Sequence, residues 1–112
     1  MTSAAKKFLC VCEGGNVRSH ALAYVLHDVH GQEAICVGWR RIGGETLDYL
    51  CKWADYIVLM QEAFRERILK VHEGKIRILD VGPDRFGMWI HPELLDFVQK
   101  NAADWATRGF EI

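Results

Sequence analysis

The stretch Lys7-Phe8-Leu9-Cys10-Val11-Cys12-Glu13-Gly14-Gly15-Asn16-Val17-Arg18-Ser19-His20 decides how this chain folds. Phe8 to Val11 is an unbroken apolar run of the kind a central parallel strand shows, and it stops at Cys12. After a glycine-containing loop, Leu22, Val25, Leu26 and Val29 fall at i, i+3, i+4 and i+7, which predicts a helix over 19–30 ended by Gly31. Cys-x5-Arg-Ser between a strand and a helix is a loop long enough to curl round a tetrahedral oxyanion. Gly14 and Gly15 permit the tight turns, the loop N–H groups and the helix N-terminus face the anion, and Arg18 returns opposite the sulfur. On this reading Glu13, Gly14, Gly15, Asn16, Val17, Arg18 and Ser19 form a phosphate-binding loop, and Cys12 carries a thiolate at its base.

Three further short apolar runs, over 33–38, 56–60 and 75–79, read as strands. Between and after them lie helical spacings: Leu47, Leu50, Cys51 and Ala54 behind a Thr46 cap; Phe64, Ile68 and Val71 within 61–72; and Leu94, Val98, Ala102 and Trp105 behind Pro92. Four β-α units in alternation predict one α/β domain over 1–112, with a parallel sheet covered by helices on both faces in three layers. Ligands of such sheets bind beyond the carboxyl ends of the strands. Cys12, Trp39, Asp80 and Asp84 all follow strand ends, so their loops are expected to meet at one edge.

Composition limits what that edge can serve. With 14 basic and 15 acidic residues the net charge is −1, so any anion affinity is local, and neither nucleic acid nor a membrane surface is an expected partner. No apolar run approaches the roughly 18 residues of a membrane span, and residues 1–7 lack a secretory signal's apolar core. A cytoplasmic location is expected, with a frayed tail over 1–5. Cys10, Cys36 and Cys51 sit in apolar, regular segments and read as buried free thiols in a reducing compartment. The Cys10-x-Cys12 pair has no second Cys/His pair at ligand spacing, so no metal or other cofactor is expected.

Val11-Cys12-Glu13-Gly14-Gly15-Asn16-Val17-Arg18-Ser19, together with Pro83-Asp84-Arg85-Phe86, resembles the low-molecular-weight protein tyrosine phosphatase family, in particular its compact bacterial branch. The segments 53–60 and 78–84 share the likeness, which runs over nearly the whole chain. The resemblance implies strand order 2-1-3-4 and a phosphomonoesterase acting on a phosphotyrosine protein or a small aryl phosphate, with phosphate as product and inhibitor. It also makes Asp84 the general acid by its place in the acid loop, with Asp80 as runner-up. Several positions depart from the family pattern: Gly15 stands where an asparagine is usual, Val17 where some members keep a second cysteine, and Arg85 where a proline is usual. Glu13 puts a carboxylate beside the site of a dianion.

The roles then follow from chemistry. Cys12 attacks phosphorus once its thiolate is stabilised by donors and Arg18. Arg18 grips two phosphate oxygens with its planar fork, and Ser19 hydrogen-bonds the sulfur. Trp39, Phe86 and Trp89 wall the pocket for an aromatic ester. Each has a plainer alternative: a core cysteine, a surface ion pair, a helix cap, turn-forming aspartates and packing aromatics. The five histidines have no catalytic spacing and read as surface or capping residues. Two other activities fit the same loop, namely a non-catalytic phosphate or phosphoprotein binder and a thiol-dependent arsenate reductase that would need a relay through Cys36 or Cys51.

Overall fold

The computed structural model describes residues 4–112, so the expected frayed tail lies partly outside the described residues, at 1–3. Strands β1 (Lys7–Cys12), β2 (Glu33–Gly38), β3 (Tyr56–Leu59) and β4 (Ile76–Ile78) form one parallel sheet in the order β2-β1-β3-β4. That is the expected order. β1 is central because it can be: Phe8, Leu9, Cys10 and Val11 are fully buried, and Cys12 is 2% exposed. Pairing on both sides fixes its register, with Cys12 opposite Gly38 on β2 and Val11 opposite Leu59 on β3.

Helix α1 (Arg18–Tyr24) runs on into a wider π-helical turn (Val25–Val29), in which His30 N–H reaches back to Val25 O. α1 packs against the C-terminal helix α3 (Pro92–Thr107), whose Trp105 stacks on Phe8 at 6.1 Å between ring centroids. Leu94, Val98, Ala102 and Trp105 are all buried, as their spacing predicts, and His91 caps the helix by accepting Glu93 N–H through its own Nδ1. α2 (Gly44–Trp53) buries Leu47 and Cys51. It starts after Gly43, so Thr46 lies inside the first turn and is not the cap the sequence suggested.

The helix expected over 61–72 is absent. In its place are two 3-10 turns, Glu62–Arg67 and Lys70–Lys75, separated by extended backbone at Ile68 and Leu69. Tertiary contacts override the local spacing here. Phe64 packs on Trp39 at 5.2 Å, and Arg67, expected outside, donates to the carbonyls of Trp39 and Ile42. Val71, expected inward, is 80% exposed. The inward place belongs to His72, expected at the surface, which is 4% exposed with its Nε2 2.7 Å from Asp48 Oδ1. Cys36 is half-buried, not buried as predicted, because β2 is a sheet edge. Among the described residues no helix is long and apolar enough to cross a membrane.

Candidate active site

The loop after β1 is held from the next strand. Trp39 N–H donates to Cys12 O at 2.7 Å, and Arg40 N–H donates to Glu13 O at 3.2 Å, so the β1 ladder continues past the strand end into the loop. Gly15 then turns with φ +76° and brings its N–H to 3.2 Å from Cys12 Sγ. The chain reaches α1 at Arg18, and Ser19 Oγ lies 3.0 Å from the same sulfur. α1 shows no side-chain cap, so the Ser19 hydroxyl is directed to Cys12 and not to the helix end. The Cys12 sulfur therefore has both a backbone N–H and a hydroxyl at hydrogen-bond distance.

Arg18 is the most unusual residue in the protein. It is fully buried, and its Nη1 donates to Gln61 Oε1 at 2.9 Å and to Gly82 O at 3.0 Å. Its Nε and Nη2 are buried with no hydrogen-bond partner among the described residues. A buried donor without an acceptor costs about 1–3 kcal/mol, and more when charged. Two such donors on one guanidinium, in the loop that carries Cys12, define a site complementary to an oxyanion.

The Glu13 carboxylate pairs with Arg40, which neutralises it beside the loop. The Gly82 contact ties the loop after β4 to Arg18. Asp80 Oδ1 accepts Gly82 N–H at 2.8 Å and so shapes the turn that delivers this carbonyl. Asp84, two residues on, is exposed and has no hydrogen bond or ion pair among the described residues. Arg85 pairs bidentately with Glu93, 2.9 Å for each bond, which anchors the loop to α3 and holds the Glu93 carboxyl below its ordinary range.

The aromatic residues divide. Trp39 is half-buried between Phe64 and Arg67, whose guanidinium carbon lies 5.1 Å from its ring centroid. Trp89 is half-buried and stacks on His20 at 4.7 Å and against Tyr24 at 4.8 Å, joining the loop after β4 to α1. Phe86, expected on the pocket wall, is only 5% exposed and is covered by His91 and Arg85, so its surface serves the core. The remaining thiols are poor nucleophiles, because burial pushes Cys51 up to about 11 and raises Cys10 and Cys36 as well. Among the described residues no cluster of three or more His, Cys, Asp or Glu side chains could hold a metal ion.

Gln61 is the residue that sequence reasoning missed. It directly follows the apolar run ending at Met60, so the strand-end rule that singled out Cys12 would also have found it.

The sheet order, the crossovers and the strand-end loop give this chain the α/β fold of the low-molecular-weight tyrosine phosphatases. Three bacterial proteins share it over nearly their full length. The Wzb protein of Vibrio vulnificus, solved in complex with benzylphosphonate, superposes with a TM-score of 0.72 at 20% identity, covering 94% of this chain and 99% of that one. The tyrosine phosphatase AmsI of Erwinia amylovora gives 0.69 at 14% identity, over 96% and 95% of the two chains. The arginine phosphatase YwlE of Geobacillus stearothermophilus gives 0.67 at 19% identity, over 95% and 96%. No protein-family model matches the chain, and no curated protein matches it in sequence.

Proposed function

We propose that this protein is a phosphomonoesterase that hydrolyses phosphotyrosine or a similar aryl phosphate through a phosphocysteine at Cys12. The observation that carries this reading is the buried Arg18 guanidinium, with Nε and Nη2 unpartnered, in the loop whose Gly15 N–H and Ser19 hydroxyl converge on the Cys12 sulfur. It is supported by structural likeness to a phosphonate-bound protein and to two phosphatases.

In the first step Cys12 Sγ attacks phosphorus as the bond to the ester oxygen breaks. Loop N–H groups and Arg18 hold the equatorial oxygens and follow them as the phosphoryl group flattens. Asp84 gives its proton to the departing oxygen. In the second step water attacks phosphorus, Asp84 takes the proton, the P–S bond breaks, and the Ser19 hydroxyl stabilises the sulfur that leaves. Asp84 is favoured over Asp80 because the Asp80 carboxylate already serves the turn at Gly82. A thiol relay of the arsenate-reductase kind is disfavoured by the burial-raised thiols of Cys10, Cys36 and Cys51.

A steady-state assay with p-nitrophenyl phosphate tests the proposal. Hydrolysis inhibited by vanadate and by inorganic phosphate is expected. A protein that binds phosphate but never releases p-nitrophenol is a non-catalytic binder, and that result would replace the phosphatase reading.

A further inference from the structure

We propose that Gln61 is a positioning residue that holds Arg18 without supplying a counter-ion, so that the anion in the loop is itself the counter-ion of this buried charge; the proposal rests on the reading of the loop as an anion site. Arg40, Arg65, Arg85 and Arg108 each have a carboxylate partner, Glu13, Glu62, Glu93 and Asp104, whereas the exposed Arg41 is in no ion pair among the described residues and the half-buried Arg67 donates to the carbonyls of Trp39 and Ile42. Arg18 is fully buried and has no carboxylate partner among the described residues; both its acceptors, the Gln61 amide oxygen and the Gly82 carbonyl, are neutral. Burial is where an unpaired charge costs most.

Gln61 stands at the carboxyl end of β3, its backbone extended at φ −153° and ψ 142°. From there its side chain fixes one nitrogen of the fork and leaves the full positive charge facing the site. A carboxylate in the same place would make the same 2.9 Å contact but add a negative charge that competes with a dianion. The neutral amide therefore trades stability of the ligand-free protein for anion affinity. Occupancy by phosphate should then stabilise the fold beyond an ordinary surface-bound ion, because it satisfies Nε and Nη2 and neutralises the guanidinium together.

The test is thermal unfolding and isothermal titration of wild type, Gln61→Glu and Gln61→Ala with inorganic phosphate, against chloride at matched ionic strength. For Gln61→Glu we expect a ligand-free Tm above wild type, phosphate affinity at least about tenfold weaker, and a rise in KM for p-nitrophenyl phosphate that exceeds the fall in kcat. Phosphate binding by Gln61→Glu equal to wild type overturns the proposal while leaving the anion site standing. A wild type that phosphate neither binds nor stabilises overturns the anion site and the proposal with it. Should Gln61→Glu not fold, Gln61→Ala decides: with Arg18 Nη1 no longer held by the amide, its phosphate-induced rise in Tm is expected to be smaller than that of wild type. A rise equal to that of wild type contradicts the proposal.

Discussion

Gly15 and Gly38 are in backbone contact that admits no side chain on either. A Cβ on Gly15 would lie 2.5 Å from Gly38 N, and a Cβ on Gly38 would lie 2.7 Å from Gly14 O. Gly15 also has φ +76°, whereas Gly14 has open space around it and an ordinary backbone. The loop therefore keeps its shape by lying directly on the end of β2. Gly15 is required there, both for its conformation and for the contact.

Gly15→Ala and Gly38→Ala are each expected to destabilise the fold by about 1–3 kcal/mol, through overpacking and strain. They should lower aryl phosphatase activity more than stability alone explains, because the N–H aimed at Cys12 moves. Gly14→Ala, whose added Cβ meets no atom within 4 Å, serves as the stability control and should stay close to wild type in denaturant midpoint.

The Glu13–Arg40 pair is exposed enough to add little to stability. Its effect is on the field at the loop. Arg40→Ala uncovers the Glu13 carboxylate and should weaken inhibition by phosphate about three- to tenfold at low salt, less at high salt. Glu13→Gln in the same background should restore it, and inhibition constants for the four proteins check the cycle.

Asp84→Asn should lower kcat for an aryl phosphate by roughly 10²-fold, the scale of a general acid. Asp80→Asn loses only the turn contact to Gly82 N–H and should cost less than about tenfold. Rates measured with a series of leaving groups separate the two. The Asp84 deficit grows as the leaving phenol becomes more basic, and the reverse ranking would make Asp80 the acid.

The buried His72 and, secondarily, Lys52 hold the Asp48 carboxyl below its usual value of 3.8. A depressed folded-state pKa contributes stability that is present above the unfolded value and is lost as pH falls through the folded one. Wild type should therefore lose stability in acid, below about pH 4. His72→Phe, which fills the same space without the hydrogen bond, should show a lower Tm at neutral pH and a smaller acid-side loss.

The sheet is legible in the sequence because each strand is a short apolar run, and α3 because its buried stripe is regular and Pro92 suits its first turn. The segment after Met60 is not legible: helical spacing at Phe64 and Ile68 is real, but Arg67 bonding to the Trp39 and Ile42 carbonyls is a contact between distant segments that no local pattern carries. The same holds at the site. Cys12, Arg18 and Ser19 announce themselves by spacing. Gln61 and Gly38 act through neighbours 43 and 23 positions away in sequence, 61 − 18 and 38 − 15, and only the folded sheet brings those together. Phe86 misleads because a large aromatic in a loop reads the same whether it faces ligand or core.

Mass spectrometry of the protein acid-quenched during turnover of an aryl phosphate, with the modified peptide sequenced, tests the mechanism most directly. Phosphate covalently bound to Cys12 in wild type, and absent together with turnover in a folded Cys12→Ser variant, is the expected result. Undiminished turnover by Cys12→Ser, or phosphate carried on any other residue, would contradict it.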